Sequence, residues 1–324
     1  MTASKTLDGL GDLLSSRLAN LMQVIEKPEV IEVMINQYGE VIVELTDGSK
    51  RFEKAPWVTR EWAGDVAQFL SIHFDLPYDE KEKPILRCQL PGGHRLNLVL
   101  GTNVSTGISA AVRVKRPFRA TPEHFGVAET SDIWQRIRAA MEGGQSIVVS
   151  GGTSSGKTTL LRVLVRMIPA PRRVILVEDV PEIDLPHRDK VHLFVSPFLS
   201  KTKMSFAEAI DIATRSRPDV VGVGEINTSN VEAYMRIAGS GHDSAFTTIH
   251  AGTPWQALRA FRRNVQMTGK DPSGIIEELA DLVHLIVQVK QVHLPDGGYT
   301  RRITDVAAPR DLPQVRALLR ASGE

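Results

Sequence analysis

Apolar positions divide the chain into two halves with different periodicities. In the first half, residues 31–36 and 41–45 alternate apolar and polar side chains around a turn at 37–39. A period of two is typical of strands that bury one face. Helical spacing appears over residues 7–26 and again after Thr59, a predicted N-cap. The first half is therefore predicted to be an α+β module whose strands pair locally.

A second hairpin is predicted further along the same half. Two strand-like runs, 87–90 and 95–100, flank the turn sequence Pro91-Gly92-Gly93, and residues 108–115 read as one more strand. Residues 116–128 contain three helix-breaking residues and no clear period. We therefore predict an N-terminal domain over 1–115 and a linker over 116–128.

The second half, residues 129–324, alternates near-continuous apolar runs with helical segments. The runs are SIVVSG, VILVED and VVGVGE. Strands that are apolar on both faces indicate a parallel sheet covered by helices on both sides, which is an α/β domain. Ser205 with Glu208 and Ser229 with Glu232 match capping boxes, and Thr253-Pro254 predicts another helix start.

Composition excludes several function classes. The 324 residues are 42% hydrophobic and 24% charged, with a net charge of +1, so direct nucleic-acid binding is not indicated. The single cysteine, Cys88, excludes an internal disulfide and a multi-cysteine zinc site, and fits a reducing compartment. No apolar stretch approaches the roughly 18 residues that span a bilayer, and the N-terminus lacks a signal sequence. We therefore expect a cytoplasmic protein whose membrane association is peripheral.

The strongest chemical signal is a phosphate-binding loop. Residues 151–158 match G-x-x-x-x-G-K-[ST] between an apolar strand and a helix, and about 0.01 such matches are expected by chance. Glycines let the backbone wrap around a phosphate, and its N–H groups supply positive potential. Lys157 should reach the β- and γ-phosphates of ATP, and Thr158 should hold Mg²⁺. The predicted nucleotide-binding residues are Gly151, Gly152, Thr153, Ser154, Ser155, Gly156, Lys157, Thr158 and Thr159.

Carboxylates follow two later apolar strands. Glu178 and Glu182 lie after VILV, and Glu225 lies after VVGV. Ligands of open α/β sheets bind outside the carboxyl ends of the strands, where such groups can hold Mg²⁺ or orient water. A charged surface turn is the alternative for the first pair. Asp219 begins the second strand, and for it we predict a capping or pairing role.

Two histidines flank the last predicted strand of the sheet. His242 and His250 lie on either side of SAFTTI. Metal binding is not expected, because no third ligand is evident. His250 falls at the carboxyl end, where a sensor of the γ-phosphate could lie.

These motifs together resemble a known family. SGGTSSGKTTL, VEDVPEI, RSRPDVVGVGEI and GHDSAFTTIHAGTP are similar to the Walker A, Asp box, Walker B and His box of the type II/IV secretion traffic ATPases. The segment PEVIEVMINQYGEVIVE resembles the conjugation and type IV secretion branch, the TrbB-like proteins. The resemblance extends from about Pro28 to about Val306.

The resemblance implies a fold, an assembly and a place of action. It implies a RecA-like P-loop ATPase domain with a smaller N-terminal α+β domain, and a homohexamer that binds ATP and Mg²⁺. The ring would lie at the cytoplasmic face of the inner membrane and act with the secretion machinery in pilus assembly or substrate transfer. Lys157 and Thr158 would bind phosphate and magnesium, Glu225 would be the Walker B acid, and Glu178, Glu182 and His250 would complete the catalytic set.

Arginines of the N-terminal domain reach the γ-phosphate in this family. Arg95 and Arg113 match best, although Lys115 or Arg116 could align in place of Arg113. The sequence also departs from the family. The usual GE-V-R-G is here Glu225-Ile226-Asn227-Thr228, so its arginine is absent, and one cysteine excludes the four-cysteine zinc module of many type II enzymes.

Three alternatives to a type IV secretion motor stay open at this point. One is a pilus or type II secretion assembly motor. Another is a nucleotide-gated scaffold with little hydrolysis, favoured by the missing arginine. The third is a DNA-translocating ATPase, since RecA-like folds serve that purpose too, although the near-neutral charge argues against it. Without nucleotide, Lys157 is predicted to be partly solvated.

Overall fold

The computed structural model describes residues 11–116, 120–179, 181–195, 204–239, 244–295 and 298–322. These residues form two compact units. Residues 11–116 make up the first unit, and the described residues from 120 to 322 make up the second.

The first unit is an antiparallel sheet covered on one face by two helices. Its strands lie in the order β3-β2-β1-β6-β5-β4. The elements are α1 (Asp12–Glu26), β1 (Val30–Ile35), β2 (Glu40–Leu45), β3 (Lys50–Lys54), α2 (Arg60–Phe74), β4 (Ile85–Leu90), β5 (His94–Leu100) and β6 (Ile108–Arg113). The β1–β2 and β4–β5 hairpins are confirmed, and Thr59 caps α2 through the N–H of Trp62. Alternate strand residues face the helices and form one apolar core.

The second unit is a mainly parallel sheet in the order β13-β12-β7-β11-β10-β8-β9. Only the β12–β13 pair is antiparallel among the described pairs. The elements are α3 (Asp132–Glu142), β7 (Ile147–Gly151), α4 (Lys157–Leu164), β8 (Val174–Glu178), β9 (Lys190–Phe194), α5 (Phe206–Arg215), β10 (Val220–Val223), α6 (Val231–Ala238), β11 (Ala245–His250), α7 (Pro254–Met267), α8 (Ile275–Leu282), β12 (Leu285–His293), β13 (Tyr299–Ala307) and α9 (Pro313–Ser322).

Helices cover both faces of this second sheet, as its apolar strands predict. In β7, the side chains of Ile147 and Val149 join one buried cluster, with α3 and α4. The side chain of Val148 points the other way, into a cluster with helices α5 to α8. Of the residues predicted as a linker, Pro122–Phe125 form a 3₁₀ helix, and the side chain of Phe125 is buried in the core of this unit.

The predicted helix starts have different outcomes. Ser205 forms the expected capping box with Glu208, and Thr253 accepts the N–H of Gln256 at the start of α7. The capping box of Ser229 with Glu232 is wrong. Asn230 is the N-cap residue of α6, and its side chain makes no capping hydrogen bond, because that side chain is used elsewhere.

Candidate functional site

The phosphate-binding sequence forms a loop between the central strand β7 and helix α4. Gly156 is the N-cap of α4 with φ +94°, a conformation that side chains with a Cβ rarely adopt. A Cβ on Gly156 would also lie 2.6 Å from Cδ of Arg301. Of the remaining predicted loop residues, the middle of the loop is exposed and the helical end is partly buried: Gly152, Thr153 and Ser154 are exposed, Ser155 is buried, and Thr158 and Thr159 are half-buried.

Lys157 is buried, with 7% of its surface exposed, so the prediction of a partly solvated lysine is wrong. Its Nζ donates to the carbonyl oxygen of Gly152 at 3.0 Å and to Nδ1 of His250 at 3.1 Å. A buried ammonium group needs such acceptors, because burial without hydrogen bonds is costly. A phosphate in the loop would compete with both acceptors for the same ammonium group.

His250 connects Lys157 to Glu225. An ammonium group only donates, and Nζ of Lys157 lies 3.1 Å from Nδ1 of His250 and 3.4 Å from Nε2, so we assign Nδ1 as the acceptor and the proton of a neutral ring to Nε2. Nε2 lies 2.6 Å from Oε1 of Glu225. Burial lowers the pKa of His250, and the positive charge of Lys157 lowers it further, while Glu225 acts in the opposite direction. The neutral tautomer is therefore favoured.

The two predicted carboxylates at the end of β8, Glu178 in its last position and Glu182 beyond it, differ in their surroundings. Glu178 is buried, and its carboxylate accepts from the N–H groups of Glu182 and Ile183. Its Oε2 also lies 2.8 Å from Nε2 of His192 on the neighbouring strand β9. Burial raises the pKa of Glu178, and the contact with His192 opposes that shift. Glu182 is half-buried, so it is the more accessible of the two carboxylates.

The order of the strands in the second sheet brings the predicted motifs together. Strands β7, β11, β10 and β8 are consecutive neighbours and run parallel. The phosphate loop follows β7, His250 ends β11, Glu225 follows β10 and Glu178 ends β8. All four therefore lie at the same edge of the sheet. His242 lies outside the described residues, and Asp219 accepts the backbone N–H of Arg173 at 2.7 Å.

The predicted arginines lie in the first unit. Arg95 on β5 and Arg113 on β6 are direct cross-strand partners, so their side chains leave the same face of the sheet. Arg113 also faces Glu32 on β1. Arg116, an alternative to Arg113, has a structural role: its guanidinium donates to carbonyl oxygens at the end of α1 and the start of β1. Burial lowers its pKa.

Sequence reasoning missed three residues at or near these motifs. Arg301 on β13 lies against the phosphate loop at Gly156 and stacks over the ring of Tyr299, 5.2 Å from its centroid. His192 holds Glu178, and Asn230 contacts the backbone of Glu225. None belongs to a motif that spacing could reveal, because strand pairing and turn geometry bring them there.

The described residues hold no group of three or more His, Cys, Asp or Glu side chains arranged for a metal ion. Across the same parts of the chain, no helix is long and apolar enough to cross a membrane.

Comparison with known proteins identifies relatives along most of the chain. Residues 21–295 match the family model described as type II/IV secretion system protein. The conjugal transfer protein TrbB of Rhizobium radiobacter is 30% identical over 93% of this chain and 88% of its own length. The type IV secretion system protein VirB11 of Brucella suis is 28% identical, over 87% of this chain and 86% of its own.

A solved structure shows the same fold. The pilus retraction motor PilT with bound ADP superimposes with a TM-score of 0.64, over 94% of this chain and 89% of that one, at 20% sequence identity. The fold is thus that of an N-terminal domain followed by a RecA-like ATPase domain.

Proposed function

The chain belongs to the type II/IV secretion system protein family, as an ATPase of its type IV secretion and conjugal transfer branch, and we propose that it works as a homohexameric ring. The ring uses ATP hydrolysis to drive pilus assembly and substrate transfer. It is attached peripherally at the cytoplasmic face of the inner membrane, next to other components of the secretion machinery. Support for this location comes from its relatives, which are named as components of such systems.

One observation supports the site more than any other. Four neighbouring parallel strands each present a motif at the same edge of the sheet, and three of these motifs are in contact through Lys157, His250 and Glu225. A phosphate bound in this arrangement would lie close to Lys157, His250 and Glu225. Such a set can bind a phosphoryl group and position a water molecule for attack.

Phosphate binding is assigned to the loop and to Lys157. The backbone N–H groups of residues 152–158 and the start of α4 would hold the β-phosphate, and the ammonium group would move from Gly152 and His250 to the phosphate oxygens. Thr158 and Glu225 would hold Mg²⁺, whose charge would neutralise the phosphates. Both supply oxygen ligands, and Mg²⁺ usually takes few protein ligands besides phosphates and water.

Catalysis is assigned to Glu225, with His250 as its neighbour. Glu225 would orient the attacking water or accept its proton. His250 would respond to the γ-phosphate, because the lysine that it now accepts from would turn to that phosphate. Glu182 would contribute from the accessible end of the turn after β8, and Glu178 would hold that turn in place.

Coupling between the two domains is assigned to Arg95 and Arg113. An arginine stays charged and can hold two phosphate oxygens at once. Its attraction to the site would last only while the γ-phosphate is present, which links hydrolysis to domain movement.

A size measurement combined with an activity assay tests the proposal. Light scattering on the purified protein with an ATP analogue should give six times the 35.7 kDa of one chain. Phosphate release from ATP distinguishes the motor from the nucleotide-gated scaffold. The absence of the usual arginine after Glu225 is the sequence feature that favours the scaffold. A ring that binds ATP and releases no phosphate would support the scaffold instead.

A further inference from the structure

The turn that follows Glu225 is closed by one buried side chain. Asn230 has 1% of its surface exposed. Its Nδ2 donates to the carbonyl oxygen of Glu225 at 2.7 Å, and its Oδ1 accepts the N–H of Asn227 at 2.9 Å. Both ends of the carboxamide are therefore engaged, and they tie the backbone of residues 225 to 227 to the start of α6.

The side chain of Asn230 holds the turn after Glu225 and does not cap helix α6. An asparagine at an N-cap usually accepts an N–H of the first helical turn. Here it makes no such bond, and the predicted partners of a capping box are also engaged elsewhere. The N–H and hydroxyl of Ser229 donate to Oδ1 of Asn227, and Glu232 pairs with Lys270. The helix start is thus left without a side-chain cap, and the turn is held instead.

A second buried side chain holds the residues on the other side of the turn. The hydroxyl of Thr248 donates to the carbonyl oxygen of Gly224 at 2.9 Å. The backbone carbonyl of Thr248 accepts the N–H of Ile226 at 2.8 Å. Thr248 is 1% exposed and lies on β11, two residues before His250. The backbone is therefore anchored immediately before and after Glu225.

We propose that Asn230 and Thr248 are positioning residues for Glu225 in ATP hydrolysis, an inference that rests on the catalytic role proposed above for Glu225. Their hydrogen bonds to this turn are made with backbone atoms of residues 224 to 227. The side chain of Glu225 is 43% exposed, so packing alone does not hold it, and its place depends on where the backbone directs it. Small displacements of a catalytic group slow a reaction strongly, because orientation is part of the barrier.

Two nearly isosteric substitutions test the proposal. Asn230→Asp keeps the acceptor for Asn227 and replaces the donor to Glu225 with a carboxylate oxygen. Thr248→Val replaces the hydroxyl with a methyl group, which cannot donate. For each, we expect kcat to fall about 10-fold or more while KM for ATP and the affinity for ADP change little. Each variant leaves a buried carbonyl oxygen without its donor, and Asn230→Asp also buries a charge, so the melting temperature should fall, and kcat is compared at a temperature at which circular dichroism shows every variant to be folded. Asn264→Asp is the matched control: Asn264 accepts from Thr228 at 3.4 Å and an aspartate still would, so activity should be unchanged.

Combining Asn230→Asp with Glu225→Gln distinguishes the positioning role of Asn230 from the catalytic role of Glu225. If Asn230 acts through Glu225, the double variant Glu225→Gln/Asn230→Asp should be no slower than Glu225→Gln alone. Additive losses, or normal kcat in both Asn230→Asp and Thr248→Val, would overturn the positioning role and leave Glu225 intact. Normal turnover in Glu225→Gln would instead overturn the catalytic role itself, and the positioning role with it.

Discussion

Lys157 and His250 are in direct contact, with Nζ of the lysine 3.1 Å from Nδ1 of the histidine. The contact fixes the imidazole as an acceptor on one side and leaves its other nitrogen facing Glu225 at 2.6 Å. A phosphate that draws the ammonium group away would remove a positive neighbour of His250. Phosphate binding at Lys157 would therefore change the surroundings of Glu225 through His250.

Glu225→Gln should separate ATP binding from hydrolysis. The substitution keeps the size of the side chain and removes its charge, so ATP should bind while turnover falls about 10²-fold or more, the range for losing a positioned acid–base group. Single-turnover phosphate release together with ATP binding measures both. Unchanged turnover would move the acidic role to Glu182 or Glu178.

Arg95→Ala and Arg113→Ala should each slow hydrolysis, by about 10- to 10³-fold, if these arginines reach the γ-phosphate. They are neighbours across β5 and β6, so the double variant should show whether one substitutes for the other. Steady-state phosphate release is the measurement, with melting temperature as the check on folding. Arg51→Ala, at an exposed position of the edge strand β3, is a matched control that should keep full activity. Full activity in both single variants and in the double variant would exclude the coupling role.

Arg116→Ala should behave differently from these two variants. In the natural protein, the guanidinium of Arg116 donates to the carbonyl oxygens of Ile25, Lys27 and Val30. Loss of these charge-assisted bonds should destabilise the first unit by about 2–3 kcal/mol. Urea unfolding followed by tryptophan fluorescence reports on this through Trp57 and Trp62, which lie in the first unit, and the same variant lacking Trp134 and Trp255 removes the signal of the second unit. An unchanged unfolding midpoint with slower hydrolysis would show that Arg116 is a phosphate ligand instead.

His94 should make the first unit sensitive to acid. Burial, and then the charges of Arg116 and Lys115, lower its pKa to about 4, and its Nδ1 accepts the N–H of Lys115 at 2.9 Å. The unfolded chain, with an ordinary histidine pKa near about 6.5, binds the proton first, so stability falls as pH drops from about 6.5 to about 4. The expected loss is about 1–2 kcal/mol after allowance for solvent screening.

His94→Asn tests this pH dependence. An amide oxygen can accept the same N–H and does not titrate, so the fall in the free energy of unfolding over this pH window should become shallower. Urea unfolding at several pH values gives the slope. Equal slopes for the two proteins would show that other groups cause the acid sensitivity.

Much of the fold could be predicted from the sequence, because its periodicities follow directly from burial. The alternation in β1 and β2 corresponds to a sheet that helices cover on one face. The continuous apolar runs in β7, β8 and β10 correspond to a sheet that helices cover on both faces. Motif spacing also predicted that Glu225 and His250 each lie at the carboxyl end of a strand of a parallel sheet. That these two strands are neighbours is known only from the strand order of the structure.

Contacts that depend on turn geometry could not be predicted. The pattern at Ser229 and Glu232 satisfies a capping box, yet the helix begins at Val231, so Asn230 takes the cap position and its side chain donates to the carbonyl oxygen of Glu225. Lys157 was expected to be partly solvated, but folding brings an acceptor, His250, from 93 residues away. Arg301 reaches the phosphate loop only through the strand order at the β12–β13 edge.

The most direct test of the proposed ATPase is phosphate release by the purified protein at saturating MgATP, compared between the natural protein and Lys157→Ala. Loss of the ammonium group removes a positioned donor to the phosphates, so hydrolysis should fall by at least about 10²-fold. The variant should still fold, as its melting temperature would show. Lys290→Ala, at an exposed position on β12, should retain full activity. Equal phosphate release by the natural protein and Lys157→Ala would contradict hydrolysis at this loop.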